Sequence, residues 1–287
     1  MKKLISIFII FCASFYGFAQ KVLTLYTSGQ DTSSQNIKLS NWGGGDIAST
    51  DELASGPKPA LRISTLNFFS GGKISFDQPV DITKIFIDPK NMLGLEFKLG
   101  NKDLILGTPL LKPIQLKPVS PTLSMIRCVI TTSDEKRSEI YLPVEEGHLK
   151  DGIYHIGVPL QAIHGLSDTN KTIKEILLTG DKTATLYLTH ISILQDETPL
   201  TGSILTPNLN LAAGDEPTFK AKGSGGYSIL QYTWSYDAKN RFQTDATGKE
   251  VKRKFLKSGK YLVTLTVSDR YNLKIPSTHS IEVTVNP

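Results

Sequence analysis

Cysteine is almost missing from this sequence: 287 residues carry two, Cys12 and Cys128. Cys12 lies in an N-terminal apolar run, so a chain that loses this run keeps one thiol and closes no internal disulfide. Stability then has to come from buried apolar surface rather than from cross-links. Cys128 sits in the strand-like run Met125-Ile126-Arg127-Cys128-Val129-Ile130 and reads as a small buried hydrophobe, not a reactive thiol. Long apolar stretches are just as rare. Apart from Leu4 to Phe18 there is none, and that run is shorter than the roughly 20 residues that span a bilayer.

Strong charge of one sign is also missing. Lys and Arg number 32 against 27 Asp and Glu, a formal net charge of +5, and Lys2 and Lys3 would leave with the N-terminal run. The basic residues are scattered except between Lys249 and Lys260, so nucleic acid is not an expected partner. The five histidines, His148, His155, His164, His190 and His279, show neither close pairing nor the helical two-His spacing of a zinc hydrolase. No G-x-S-x-G elbow and no phosphate loop occurs. The densest acidic spot, Glu145-Glu146-Gly147-His148 with Asp151, flanks glycines and reads as a turn rather than as a general acid and base.

What is present begins with an export leader. Met1-Lys2-Lys3 places positive charge ahead of the apolar run, and Gly17 and Ala19 put small residues at −3 and −1 of a cut after Ala19. About 270 residues then remain, enough for one large or two ordinary cores. Short runs of alternating apolar and polar residues follow, separated by Gly, Pro, Asn and Asp. They include Val22–Tyr26, Ala60–Ser64, Lys73–Phe76, Lys84–Ile87, Leu95–Leu99, Glu139–Leu142, Tyr154–Val158, Ile173–Leu178 and Ala184–Leu188. Helix is expected at most as turns around Leu160 to Leu166 and Thr172 to Leu178, and the second reads more readily as a strand. The pattern lapses at Asp196-Glu197-Thr198-Pro199-Leu200-Thr201-Gly202-Ser203, whose make-up suits a linker. Past it, strands resume over roughly 80 residues, the size of one small β-sandwich.

That last part resembles a PKD domain, an immunoglobulin-like module. The likeness lies in Gly214–Phe219, in Tyr232-Thr233-Trp234-Ser235-Tyr236 and above all in Phe255–Asp269. Trp234 is expected to fill the space between two sheets, Gly259 to permit a tight turn, and Tyr261, Val263, Leu265 and Val267 to point inward. The acidic, glycine-bearing loop usual in the family is replaced by Ser235–Asn240. The resemblance implies a spacer, adhesive or carbohydrate-associated module, although a fold does not establish a function.

The first part resembles, more loosely, the jelly-roll carbohydrate-binding modules of the galactose-binding-like type. The segments that carry this likeness are Leu39–Asp46 before Pro59–Ile63, and Gly152–Leu160 before Ile173–Leu178 and Leu186–Ile193. Many such modules hold a structural calcium near an acidic residue in the closing strand. Thr189-His190 stand there in this sequence, and no cofactor and no metal is expected. Sugar binding calls for an aromatic ring with an exposed face beside hydrogen-bonding side chains. Trp42 in its glycine-rich loop, with Asn41 and Asp46 as neighbours, is the leading candidate, and Tyr154 and His155 are further ones. Lys252, Arg253, Lys254 and Lys257 form a candidate patch for an anionic polymer, and Phe68-Phe69 a candidate hairpin-tip contact.

The chain is thus read as all-β: a leader (1–19), a jelly-roll β-sandwich (20–195), a linker (196–206) and a PKD-like immunoglobulin-fold domain (207–287). The expected protein is exported, to the medium, the cell surface or the periplasm of a Gram-negative host, with no transmembrane segment after cleavage. The expected function is non-catalytic binding of a polysaccharide or cell-surface glycan by the jelly roll, with the PKD-like domain as spacer or adhesion module. Two alternatives stay open: a structural or adhesive surface protein without a sugar site, and a small polysaccharide lyase or hydrolase. The last requires Arg62, Arg127, Tyr141, Tyr154 and His155 to converge on one sheet face.

Overall fold

The computed structural model describes residues 19–52, 58–100, 123–236 and 244–287. The expected leader, apart from Ala19, and most of the Ser235–Asn240 stretch lie outside these residues. Among the described residues, twelve strands precede residue 197: β1 (Ala19–Thr27), β2 (Ile37–Trp42), β3 (Asp46–Thr50), β4 (Ala60–Thr65), β5 (Gly71–Asp81), β6 (Met92–Leu99), β7 (Met125–Thr132), β8 (Arg137–Pro143), β9 (Leu149–Lys150), β10 (Ile153–Pro159), β11 (Thr172–Gly180) and β12 (Ala184–Asp196). One sheet runs β3-β4-β12-β6-β10-β9, with β1 pairing with the far half of β12; the other runs β2-β5-β11-β7-β8. Strands β4 to β7 alternate between the sheets, and β10, β11 and β12 alternate back, so β4-β12-β6-β10 faces β5-β11-β7-β8. That interlocking of two Greek keys is a jelly roll. Inward residues such as Ile63, Ile74, Phe97, Ile130, Ile176 and Ile191 fill the space between the sheets.

One expected strand is not a strand. Lys84–Ile87 lies in and just after a single helical turn, α1 (Thr83–Phe86). The Asp81 carboxylate accepts the Thr83 N–H at 2.8 Å, and Ile82 is already buried, so the chain turns out of the sheet before a strand can continue. The 160s form short 3-10 turns, Leu160–Ala162 and Leu166–Asp168, as anticipated.

Eight more strands follow: β13 (Thr201–Ile204), β14 (Leu209–Ala212), β15 (Thr218–Ser224), β16 (Leu230–Ser235), β17 (Ala246–Thr247), β18 (Glu250–Lys252), β19 (Gly259–Asp269) and β20 (Ser277–Asn286). They build a second sandwich from β13-β15-β18 and β14-β20-β19-β16-β17. Strand β13 falls within the stretch read as a linker, because its backbone pairs antiparallel with β15. Trp234 is buried against Phe219 and donates its indole N–H to the Gly248 carbonyl at 2.8 Å. Val263, Leu265 and Val267 alternate into this core, with Tyr261 half-buried at its rim.

The two sandwiches are not strung on a free tether. Gly94 and Gly157 face each other across β6 and β10 and leave a dimple on the outer face of the first sheet. Tyr227 fills it: a Cβ on Gly157 would meet the Tyr227 Cβ at 2.9 Å. The Tyr227 hydroxyl donates to Glu96 at 2.6 Å, and the Gly157 N–H donates to the Tyr227 carbonyl at 2.8 Å. The next residues continue the contact. His148 Nε2 meets the Ser228 carbonyl at 3.1 Å, and Ile229 joins the core of the jelly roll. Asp196, with no exposed side-chain surface, binds Lys274 at 2.7 Å and accepts the Tyr227 N–H at 2.7 Å.

This seam should be acid-sensitive. Burial holds His148 and His155 below the ordinary histidine value. Burial also works against ionisation of Glu96, but contacts from His190 and the Tyr227 hydroxyl outweigh it and hold the carboxyl at about 2. All three groups bind protons more weakly folded than unfolded, so their contribution is complete at neutral pH and falls as pH drops. The histidine part is lost from about pH 6.5 downward and the Glu96 part from about 4.5 towards 2. The Glu96 share is roughly 3 kcal/mol. Thermal midpoints measured from pH 8 to 3 should fall in two stages, with Glu96→Gln flattening only the lower one; a single stage unaffected by that variant would refute the assignment.

Candidate functional site

The second sandwich packs against the β6/β10 face of the first sheet, and among the described residues it does not cover the outer face of the other sheet, β2-β5-β11-β7-β8. Residues that alternate away from the core on these strands converge there. Trp42 ends β2, Lys73 lies on β5, Glu175 and Leu177 on β11, Arg127, Val129 and Thr131 on β7, and Arg137 and Glu139 on β8. With Phe69 from the β4–β5 turn they line a groove of about 350 Å³.

Curvature makes the groove. Register places Arg137 in line with Thr131, Glu175, Ser75 and Lys38, four strands from β2 and four residues along it from Trp42. On a flat sheet those two Cα atoms would be about 23 Å apart. The Arg137 guanidinium nevertheless lies 6.0 Å from the Trp42 ring centroid, and the Lys73 ammonium 5.9 Å from it. The sheet therefore curls, and long side chains from opposite edges arch over its face. Beneath them Val129 and Leu177 point away from the core yet are only 6% and 8% exposed.

The charges in the groove are ordered. Lys73 pairs with Glu175 at 3.2 Å, and Glu175 also accepts from Ser75 at 3.2 Å. Arg127 holds Glu139 through Nε at 2.8 Å, donates to the Phe68 carbonyl at 3.3 Å, and stacks 6.0 Å from the Phe69 ring. Arg137 has no carboxylate partner among the described residues. Phe68 and Phe69 divide their roles: Phe68 packs edge-on against Tyr141 at 5.2 Å, while Phe69 is 73% exposed at the rim.

Of the sugar-site candidates, only Trp42 lies here. The Asn41 side chain closes the β2–β3 turn by accepting the Ile47 N–H at 3.0 Å. Asp46 starts β3 on the other sheet and pairs with Arg62 at 2.8 Å. Tyr154 stacks on Phe97 at 5.3 Å against the core. His155 meets the Tyr227 ring at 5.2 Å in the seam. The convergence of Arg62, Arg127, Tyr141, Tyr154 and His155 on one face does not occur, since Arg127 and Tyr141 belong to one sheet and the other three to its partner. Glu145 pairs with Lys249 at 2.8 Å and His148 is buried, so that acidic turn props the second sandwich.

Among the described residues, the basic stretch of the second sandwich lines neither of the two grooves. Lys249 and Lys260 are paired with carboxylates, Arg253 lies 5.2 Å from the Tyr236 ring, and Lys252, Lys254 and Lys257 stand exposed. Burial pushes the Cys128 thiol up to about 12, which makes it inert. Among the described residues no three His, Cys, Asp or Glu side chains gather as metal ligands. At the place read for a calcium ligand, Thr189 donates to the Glu96 carbonyl and His190 lies 3.2 Å from the Glu96 carboxylate. A second groove, of about 520 Å³, runs along the seam, with the Asp196–Lys274 pair in its lining.

Residues 199–285 match the family model of the PKD domain. The second sandwich is a PKD domain. It takes in β13 and so begins before residue 207. No curated protein matches the chain. Solved structures with similar parts include the fibronectin(III)-like modules of Clostridium thermocellum CbhA, at 13% identity and a TM-score of 0.27, covering 60% of this chain and 82% of that one. The N-terminal four Ig domains of Dscam1 isoform 1.9 align at 12% identity and 0.27, covering 56% and 37%. The M60 catalytic domain of Clostridium perfringens ZmpB with its CBM51 domains aligns at 12% and 0.22, covering 94% and 24%. No helix among the described residues is long and apolar enough to cross a membrane.

Proposed function

We propose that the chain is an exported, non-catalytic glycan-binding protein that holds its ligand in the groove of the β2-β5-β11-β7-β8 sheet. The observation that carries this reading is the half-buried Trp42 ring set beside Arg137 and Lys73 over an apolar floor of Val129 and Leu177. A pyranose presents a C–H face and a rim of hydroxyls. An indole accepts the face, and fixed charged side chains accept the rim, with Arg127, Glu139 and Glu175 already held in place by one another. Binding is favoured over cleavage because, among the described residues, both carboxylates of the groove are tied up in ion pairs and neither histidine nor tyrosine lines it. The PKD domain acts as a rigid extension that covers one sheet and leaves the other free.

The test is binding of residues 20–287 to an array of neutral and acidic polysaccharides, with polymer length followed in parallel. Trp42→Ala should weaken binding by about 2 kcal/mol or more, roughly thirtyfold, as expected for a stacking aromatic at the centre of a site. Its melting temperature should stay near that of the parent, since the ring lies outside the core. Failure of every glycan to bind, with no loss of polymer length, would leave the structural or adhesive surface role; shortening of a polymer would revive the enzyme alternative.

A further inference from the structure

Five charged side chains line the groove, three basic and two acidic, and they are not evenly matched. The two carboxylates are each committed to one cation: Glu175 to Lys73 and Glu139 to Arg127. Arg127 is held further by the Phe68 carbonyl and the Phe69 ring, so its fork has little left to offer. Arg137 is different. It is exposed on the edge strand β8, faces the Trp42 ring at 6.0 Å, and has neither a carboxylate nor a carbonyl partner among the described residues.

The ring does two things for that guanidinium. It steadies a long side chain that would otherwise sample many rotamers, and it does so without using any of the five N–H donors. An arginine fork held in one plane with its donors unspent suits the two oxygens of a carboxylate. The sugar-stacking surface and the anion receptor therefore adjoin at the distance of one ring contact. A neutral glycan would use the ring and leave the unpaired charge idle.

We infer that the ligand is an acidic polysaccharide whose sugars carry carboxylates, with one carboxylate received by Arg137 while a pyranose face lies on Trp42. This rests on the glycan-binding reading and names its substrate class. It also moves the expected anionic-polymer site from Lys252, Arg253, Lys254 and Lys257 on the PKD domain to the opposite sheet of the jelly roll. Arg137 then sets specificity, and Trp42 supplies affinity shared by acidic and neutral sugars.

The experiment compares polygalacturonate, alginate and a glucuronan, each against its own carboxyl-reduced polymer, by titration of the full chain from residue 20. At low salt at least one acidic polymer should bind about tenfold more tightly than its reduced form, the gain expected of a charge-assisted fork. The preference should shrink as salt rises. Arg137→Gln should erase it with an unchanged melting temperature, Arg137→Lys should restore it in part, and Lys252→Gln/Lys254→Gln should leave it intact. Equal binding of acidic and reduced polymers, lost in Trp42→Ala and unaffected by Arg137→Gln, would overturn the acidic ligand and keep the glycan reading. A preference lost only in the Lys252/Lys254 variant would overturn the assignment to Arg137. No binding of any of the six polymers would overturn both.

Discussion

Lys274→Ala should destabilise the protein by about 3–5 kcal/mol, the cost of leaving a buried charge without its partner. Asp196 has no exposed side-chain surface and Lys274 only 8%, and they meet at 2.7 Å. Lys274 also donates to the Gly225 carbonyl at 2.8 Å, and Asp196 accepts the backbone N–H groups of Tyr227 and Thr198. Without Lys274 the carboxylate keeps two backbone donors and loses its counter-charge, next to the loop that seats Tyr227 on Gly94 and Gly157. Glu145→Ala, which removes the half-exposed pair with Lys249, should cost about 1 kcal/mol or less. Denaturant unfolding measures both, and small-angle scattering should report a longer particle for Lys274→Ala as the seam opens. Asp196→Ala/Lys274→Ala should cost less than the sum of its single variants, because it strands no charge. A loss below about 1 kcal/mol for Lys274→Ala would mean that water reaches the pair.

Trp234→Ala should cost a similar amount, about 3–5 kcal/mol, for a different reason. The ring fills the PKD core between Phe219 and the β16–β19 pairing, and its N–H has a single acceptor, the Gly248 carbonyl. Truncation removes that packing, opens a cavity and frees the carbonyl, while the groove on the far sheet of the jelly roll keeps all its residues. Hydrogen exchange should therefore locate the loss in β15, β16 and β18, and polysaccharide affinity should hold wherever the chain stays folded. Affinity that fell with Trp234→Ala in proportion to stability would tie the groove to the PKD domain instead.

Acid should act on the junction first. His148, His155 and Glu96 all face residues of the PKD domain or its loop, whereas no histidine lies in the groove. The charges of the groove and those of the domain junction thus lie on opposite faces of one sandwich.

Alternation and turn residues alone determined the class of structure, and of the residues that line the groove they singled out Trp42 and Phe69. Alternation marks strands because inward and outward side chains follow the two-residue pleat, and runs such as Tyr261–Val267 kept that pattern in the folded PKD domain. Trp42 was legible because an aromatic among glycines has few local neighbours to cover it. Its sequence neighbours lie elsewhere for a geometric reason: the turn at Gly43 to Gly45 carries the chain from one sheet to the other, so Asn41 closes that turn and Asp46 leaves the groove. Tyr154 and His155 point to opposite faces of one strand, and neither faces Trp42.

What completes the groove comes from β5, β7, β8 and β11, up to about 130 residues away from Trp42 in the chain. Lys73, Arg127, Glu139 and Glu175 each carried a weak signal, a charged outward position within an otherwise apolar strand. Their convergence depends on strand order and register, and the meeting of Trp42 with Arg137 depends on how far the sheet curls. Docking of the PKD domain is equally a tertiary outcome, since Asp196, Tyr227 and Lys274 are unremarkable in sequence and acquire a role only when Gly94 and Gly157 are brought side by side. Local pattern fixes which face of a strand is buried; only the assembled sheets decide which exposed side chains share a surface.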